Sequence, residues 1–444
     1  MVGAGPSGLA AAWRLRQQGF RPIVLEERDR VGGQLLTVKQ DGFLMEAGTT
    51  ILPAAYGSVM RLVHEAGLAE DLLPADSGMG FVRDGEMHLL RANHLLLDAA
   101  RTRLLSLRSK LSAAKIGRDI LRVRSLLSYE DLSAAAEFDV ETPAEYAARR
   151  GLSAELYDYL IDPIARGGAG VPGDKISVVE FFFLMEKVLG SRLYALREGY
   201  SQLPEALAAQ LPDVRLGVRV REVVEAGDGV EVTYETADGT VTERAAGAVV
   251  SSMGNRVPDI VPQLAPERAR FLRDLTYTSC ISINLALSRR PAAKPAFVVV
   301  PRPVSDGLFA VILEHNKVAG RCPDDKGLAT LFTVNEWAVE HMDQDDDAVL
   351  AAILGDAERA VPDLGRHIEF VRVNRWNPVL VYSHPGLYRE MRGFHAGRDL
   401  TSRIHLAGSY NSSGNVNTAT VAGERAAREL AAALRSPLAA LERS

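Results

Sequence analysis

Met1 to Thr37 read MVGAGPSGLAAAWRLRQQGFRPIVLEERDRVGGQLLT, and within them Gly3, Gly5 and Gly8 form G-x-G-x-x-G. Gly3 permits a tight strand-to-helix turn, Gly5 lets backbone approach a pyrophosphate, and Gly8 lets the following helix lie close to the strand. The free N–H groups around Pro6 and Ser7, at the positive end of the helix dipole, would then face the phosphates. The context supplies specificity: a helix is predicted over Leu9–Gln18, ended by Gly19, and a short apolar strand over Pro22–Leu25 leads into Glu26. That is the βαβ setting the motif requires. Glu26 stands where a carboxylate accepts hydrogen bonds from the ribose hydroxyls of an adenosine and repels a 2'-phosphate. Met1 and Val2 leave almost no first strand, whereas a buried parallel strand runs to ~4–8 residues. A truncated or mis-assigned start is expected.

Composition narrows the class around this fingerprint. The 444 residues are 47% hydrophobic and 24% charged, with 51 Lys plus Arg against 57 Asp plus Glu and a net charge of -6. At roughly 150 residues per domain, two or three domains are expected. The balance carries no signature of a nucleic-acid binder. Cys280 and Cys322 are far apart and form no C-x-x-C pair, which argues against a disulfide framework or a thiolate metal site; no metal is expected. Both read as small apolar core residues. No stretch approaches the ~18 apolar residues that span a bilayer, and the start is neither a signal nor a transit peptide, so a cytoplasmic chain is expected.

Glu26, Arg28, Arg30, Gly32, Gly33 and Thr37 extend the fingerprint to E-x-R-x-R-x-G-G-x-x-x-T. This resembles the flavoprotein family of amine oxidases, protoporphyrinogen oxidases and phytoene desaturases, in which the second glycine pair runs along the FAD pyrophosphate. Many relatives carry Arg or Lys directly after that pair; here Gln34 stands there, which weakens the phosphate contact without removing the site. At the other end, Ile404 to Leu430 read IHLAGSYNSSGNVNTATVAGERAAREL. A predicted strand over Arg403–Ala407 meets a Gly/Ser/Asn loop, and an Ala-rich helix begins near Asn417 or Thr418, with Asn417 a suitable N-cap. The segment resembles the C-terminal flavin segment of the family, Gly423 to Ala427 included, and its spacing resembles the protoporphyrinogen-oxidase-like members. A helix N-terminus aimed at the flavin pyrimidine edge stabilises the charge that develops there on reduction.

The resemblance implies an α/β fold: a Rossmann-type FAD-binding domain with a mixed-sheet substrate domain and an inserted helical subdomain. The FAD-binding domain is assigned to residues 1-50, 195-270 and 385-444, the substrate domain to 51-90 and 271-384, and the helical subdomain to 91-194. Cofactor contacts are expected from Gly3, Gly5, Pro6, Ser7, Gly8, Glu26, Glu27, Arg28, Gly32, Gly33 and Gln34. Asp41 to Thr50 resemble the strand that lays backbone beside the isoalloxazine, adding Gly48, Thr49 and Thr50, with Glu46 assigned to ribose or backbone rather than to catalysis. The backbone of Val220 is expected at the adenine, and Gly408, Ser409, Asn415, Val416, Asn417 and Thr418 in the flavin loop.

Between the ends, the pattern predicts a helix over Tyr56–Leu68, a strand pair around Gly80–Leu90 turning at Asp84-Gly85, and a helical stretch over Arg91–Leu127. From Arg101 to Arg124 the last carries eight cations against Asp119 alone. A solvated helix face is the favoured reading, and docking of residues 101–125 on anionic lipid, as a peripheral membrane contact, is the alternative. Thr142 to Leu207 resemble protoporphyrinogen-oxidase-type sequences, with a turn at Gly167–Gly170 and a helix over Leu203–Leu211 capped by Ser201. Short strands follow at Leu216–Val220, Val230–Tyr234, Val241–Arg244 and Ala248–Val250, and a strand-rich region over Tyr277–Val373 has one face suited to floor a substrate cavity. Asp343 to Asp347 read as the first turn of a helix running to Ala360.

Flavin would accept a hydride at N5 while the protein orients and desolvates the substrate. No Ser/His/Asp set, spaced His cluster or carboxylate pair competes with that reading. The catalytic residues are left open, with Tyr410, Asn411, Asn415, His384 and Tyr388 as candidates for the ring or substrate pocket. A single dinucleotide fingerprint points to oxygen or a quinone as electron acceptor rather than NAD(P)H. No Cys follows Trp376, where covalently linked amine oxidases carry one, so non-covalent FAD is expected. The leading expectation is an FAD-dependent oxidase or dehydrogenase acting on a relatively large apolar small-molecule substrate. The alternatives are an oxidase of a small amine, an isoprenoid or carotenoid desaturase or isomerase, and a non-catalytic FAD- or lipid-binding protein.

Overall fold

The computed structural model describes residues 1–91 and 94–435. Parallel runs from distant parts of the chain share one sheet in the order Asp213–Arg215, Ile23–Leu25, Val2, Ala248–Val250 and Ile404–Leu406. Val2 alone stands for the first strand, yet it is the centre of the sheet. It bridges in parallel to both Leu25 and Val250, its N–H donates to Val249 O at 2.9 Å, and the N–H of Gly3 donates to Leu25 O at 2.8 Å. The helix Pro6–Gln17 follows at once, with proline at its first position, where a missing N–H costs nothing. The long helix Val416–Arg435 packs against it so closely that a Cβ on Gly423 would lie 2.1 Å from the Ser7 carbonyl oxygen. Small residues are needed there, which explains the alanines of both helices: Ala11, Ala426, Ala427 and Ala431 form one buried cluster with Val249 and Ala407.

The expected strand Leu216–Val220 does not form as such, and two strands flank its start. Asp213–Arg215 joins the parallel sheet, and Arg219–Ala226 opens an antiparallel meander with Gly229–Thr236 and Gly239–Ala245. Leu216 belongs to neither, because Gly217 turns the chain between them at φ +68°, a conformation that L side chains rarely adopt. Ser201 heads the helix Gln202–Ala209 without capping it; its Oγ accepts from the N–H of Thr37 at 2.8 Å instead.

A seven-stranded sheet forms the second layer, in the order Ile368–Trp376, Cys280–Leu287, Gly327–Thr333, Leu308–Leu313, Phe297–Val299, Gly78–Arg83, Glu86–Arg91. It is mixed, since Phe297–Val299 runs parallel to Gly78–Arg83 and the other pairs are antiparallel. Asp84 and Gly85 both have positive φ at the hairpin turn, as a two-residue connection demands. Ile281, Ile283 and Leu285 pack on Val349, Ile353 and Ala357 of the helix Asp346–Ala360. Asp345 caps that helix by accepting from the N–H of Ala348, so the acidic run straddles its first turn.

The helical stretch is broken rather than continuous. Leu95–Arg101 ends at Thr102, and Leu107–Val123 starts afresh with Ser106 as its N-cap. Gly167 and Gly168 lie inside the helix Asp162–Ala169, and only Gly170, left-handed at φ +74°, makes the expected turn. Among the described residues, no helix is long and apolar enough to cross a membrane.

Candidate functional site

Gly3, Glu26, Ser251 and Ala407 directly follow the parallel strands, so they line up at the carboxyl edge of the sheet, where open α/β sheets bind ligands. A Cβ on Gly8 would sit 1.9 Å from the Gly3 carbonyl oxygen, whereas one on Gly5 would meet nothing within 4 Å. The first glycine-rich turn is therefore closed against the sheet and open in front of the helix N-terminus. Glu26 braces this loop: Oε2 accepts from the N–H of Ala4 at 2.6 Å, and Oε1 from that of Arg28 at 3.0 Å. Arg30 donates to Gly33 O at 2.8 Å, and Arg28 reaches the same oxygen at 3.3 Å. Glu27 lies on the surface, 3.6 Å from Arg219. Gly32 adopts φ +100° and Gly33 φ +58°, the latter stacked beside Gly5. Gln34 Nε2 donates to Val379 O at 2.6 Å, tying the glycine pair to the segment after Trp376.

A second helix begins at Val416, which lines one small pocket with Leu35 and Thr49, next in sequence to Gln34 and Gly48. Val416–Arg435 is capped by Asn415, whose Oδ1 accepts from the N–H of Thr418 at 2.9 Å. Asn417 is not the cap; its Oδ1 accepts from the N–H groups of Ser58 and Val59 at 3.1 and 3.2 Å and so caps the helix Gly57–Glu65. The hydroxyl of Thr418 is buried without a partner. Open space at one helix N-terminus and an orphaned hydroxyl at the other suit an elongated ligand with a phosphate and a polar ring edge. Gly408 and Ser409 begin the loop between them, and Val220, paired with Tyr234, borders a bulge at Arg221.

Gly48, Thr49 and Thr50 are held from behind by the seven-stranded sheet. The face of Cys280–Leu287 opposite its apolar side presents Ser282 and Asn284, which donate to Ala47 O at 2.5 Å and Glu46 O at 3.1 Å. Trp376 Nε1 also donates to Ala47 O, at 2.8 Å. The polar half of the strand's alternation thus grips backbone. A Cβ on Gly48 would fall 2.2 Å from Gln34 O, so glycine is required there by packing within the protein. Lys317 donates to the carbonyl and hydroxyl of Thr50 at 3.0 and 2.9 Å and pairs with Glu314 at 2.5 Å, all of it buried. The Glu46 carboxylate accepts from Thr37 Oγ1 at 2.8 Å and from the N–H of Tyr200 at 3.2 Å. Burial pushes this carboxyl up to about 7, against the pull of Lys317 and Arg321.

The catalytic candidates are each committed to contacts within the protein. Tyr410 is buried and directs its hydroxyl to Ala407 O at 3.3 Å. Asn411 is held by Gly408 O at 3.0 Å and by Arg425 at 2.6 Å. Tyr388 donates its hydroxyl to Glu180, and Asn415 carries the cap described above. His384 is half-buried, with Nδ1 3.0 Å from Pro385 O and its ring edge towards Tyr382. Glu180, Glu314, Lys317 and Arg321 were not singled out by sequence reasoning. Their signal was present: a carboxylate inside VVEFFF, and charges ending the apolar strand Leu308–Leu313. A cleft of about 290 Å³ runs between Arg28 and Arg30 on one side and Asn374 to Pro378 on the other. Arg28, Arg30 and Arg375 are among its lining residues.

Comparisons with known proteins agree with this geometry. A solved putrescine oxidase overlays 97% of this chain and 98% of its own with a TM-score of 0.80 at 20% identity, and cyclohexylamine oxidase from Brevibacterium oxydans overlays 98% of each with a TM-score of 0.79 at 17% identity. In sequence, the mitochondrial protoporphyrinogen oxidase of Nicotiana tabacum is 31% identical over 196 residues, which is 43% of this chain but only 37% of that protein. Coproporphyrinogen III oxidase of Propionibacterium freudenreichii subsp. freudenreichii is 25% identical over 86% of this chain and 80% of its own length. The family model of flavin-containing amine oxidoreductases matches residues 6–431, spanning both helix N-termini and the mixed sheet between them, so the chain belongs to that family.

Proposed function

We propose that this protein is an FAD-dependent oxidoreductase that takes a hydride from a relatively large apolar substrate of the porphyrinogen kind. The observation that carries the reading is a pair of helix N-termini, one open in front of Gly5 and one bearing the orphaned Thr418 hydroxyl. Bound FAD supplies the hydride acceptor. The chain's own part is to hold the dinucleotide between Gly3–Gly8, Glu26–Gln34 and Asn415–Thr418, to back the ring segment Gly48–Thr50 with Lys317, and to keep water out. Residues 1-50, 195-270 and 385-444 act as the FAD-binding domain, 51-90 and 271-384 as the substrate domain, and 91-194 as the helical one. FAD is held without a covalent bond, and oxygen or a quinone is the acceptor. A large substrate is favoured over a small amine because Tyr388 and Tyr410 are 0% and 1% exposed, so neither presents a free ring face as the wall of an aromatic cage.

The test is an absorbance spectrum followed by acid precipitation and anaerobic substrate screening. Yellow colour released into the supernatant, then bleaching by coproporphyrinogen or protoporphyrinogen and not by putrescine or L-amino acids, is the expected result. Bleaching by amines alone overturns the substrate assignment, bleaching by an isoprenoid replaces it with desaturation, and a chain that takes up no FAD overturns the whole reading.

A second part of the proposal concerns the helix Leu107–Val123. Leu107, Leu111 and Leu121 are 73%, 70% and 61% exposed, on one face with Arg108, Arg118 and Arg122 beside them. Leucines flanked by arginines on a solvent face suit an anionic lipid surface, so this helix is assigned as a peripheral membrane contact of an otherwise cytoplasmic protein.

A further inference from the structure

Helix Val178–Lys187 is almost wholly apolar, but its third residue is Glu180, which is 2% exposed. Among the described residues, no cation stands against it. Its carboxylate instead receives two hydroxyls, that of Tyr388 and that of Ser413, the latter at 2.7 Å, and Ser383 lies close by. Burying a carboxylate without a counter-charge is costly, so the site is maintained by the hydrogen bonds it accepts. Burial raises the carboxyl above the ordinary Glu range.

One of those partners leads into the flavin loop, and another ties back to Glu180's own helix. Ser413 sits in the middle of it and accepts from Asn415 Nδ2 at 3.1 Å. Asn415 in turn caps Val416–Arg435 through the N–H of Thr418. From the other side, Tyr388 lies in the first turn of the helix Leu387–Ala396, and its N–H donates at 2.8 Å to Asp139, which also accepts from Ser177, the N-cap of Glu180's own helix. A continuous path of hydrogen bonds, buried at Glu180–Ser413 and part-buried beyond, therefore runs from Glu180 through Ser413 and Asn415 to the backbone N–H of Thr418 at the helix N-terminus.

We infer that Glu180 is a positioning residue for the flavin: through Ser413 and Asn415 it fixes the loop Gly408–Asn415 and aims the N-terminus of Val416–Arg435 at the cofactor. The inference rests on the proposal that the chain binds FAD. Truncating either end of the path frees the loop, whereas Gln in place of Glu keeps an acceptor and a donor for the same two hydroxyls.

The experiment is reconstitution of wild type, E180A, E180Q and S413A with FAD, reading the FAD dissociation constant and the visible circular dichroism of the bound flavin. Wild type is measured first, and uptake of FAD by it establishes the underlying reading separately. E180A and S413A are expected to bind FAD about tenfold or more weakly with an altered dichroism, as loss of a hydrogen bond to a buried carboxylate implies, and E180Q to recover both. S413A removes one hydroxyl from a loop and keeps the test decisive if E180A does not fold. Wild-type affinity and dichroism in S413A overturn the inference, as does an E180Q protein that behaves like E180A, which would make the charge rather than the hydrogen-bonded geometry the operative property. A wild-type chain that takes up no FAD overturns this inference together with the reading beneath it.

Discussion

Gly8 shows how much one side chain can decide. A methyl group there would stand 1.9 Å from the Gly3 carbonyl oxygen, against a rigid turn rather than a flexible neighbour. Gly8→Ala must push the helix Pro6–Gln17 off the sheet, costing about 1–3 kcal/mol and opening the phosphate cradle; the flavin retained per chain after purification should fall to near zero. Glu424 illustrates the opposite case, a residue in the cofactor-resembling run that serves packing. Its two oxygens accept from Arg14 at 2.6 and 2.9 Å and from Ser58 and Arg61 at 2.9 Å, joining three helices. Glu424→Ala leaves the half-buried Arg14 facing Glu65 alone, so a destabilisation of about 2–3 kcal/mol is expected in urea unfolding. An unchanged unfolding midpoint would show that the three helices hold without this knot.

The outer face of Leu107–Val123 carries Leu107, Leu111 and Leu121, all more than half exposed. Its inner face is buried through Ile116, Ile120 and Val123, and Asp119 pairs inward with Arg150 at 2.7 Å. Replacing Leu107, Leu111 and Leu121 together by Ser removes only exposed apolar surface, so the fold and thermal midpoint should be retained. Co-sedimentation with phosphatidylserine vesicles should be lost in that variant. In wild type it should weaken as salt rises from low to physiological strength, because surface cations are screened. Wild-type protein that stays in the supernatant at low salt would return this helix to an ordinary solvated face. The broken helix around Thr102–Ser106 and the turn between strands at Gly217 belong to this scale too. Both positions carry turn-compatible residues, Ser106 as cap and Gly217 for positive φ, but the apolar periodicity around them runs on without a gap and conceals them.

At the scale of the whole molecule, Glu46 ties the strand Phe43–Glu46 to the chain returning at Tyr200 and lies within the field of the buried charges Lys317 and Arg321. Its carboxyl lies at about 7 in the fold against an ordinary 4.5, chiefly through burial. The folded state therefore favours the protonated form, and that contribution is complete below about pH 4.5 and is lost as pH rises through about 7. Glu46→Gln, which cannot ionise, should accordingly gain in thermal midpoint relative to wild type as pH is raised across this window; parallel pH profiles for the two would refute the assignment. The G-x-G-x-x-G turn, the last two strands of the meander and the Asp84-Gly85 hairpin were legible from sequence because each is a local matter of φ angles, spacing and alternation. So were both flavin-resembling ends, which carry their residues in short contiguous runs. What sequence did not reveal was every pairing whose partners lie far apart in the chain. Val2 becomes a central strand only because Leu25 and Val250 flank it, Asn417 caps a helix some 360 residues earlier, and Glu180 meets Ser413 across 233 positions. Local propensity determines which backbone shapes are available; which buried donor meets which acceptor is decided only when the layers close, since a buried polar group must find a partner wherever the packing brings one.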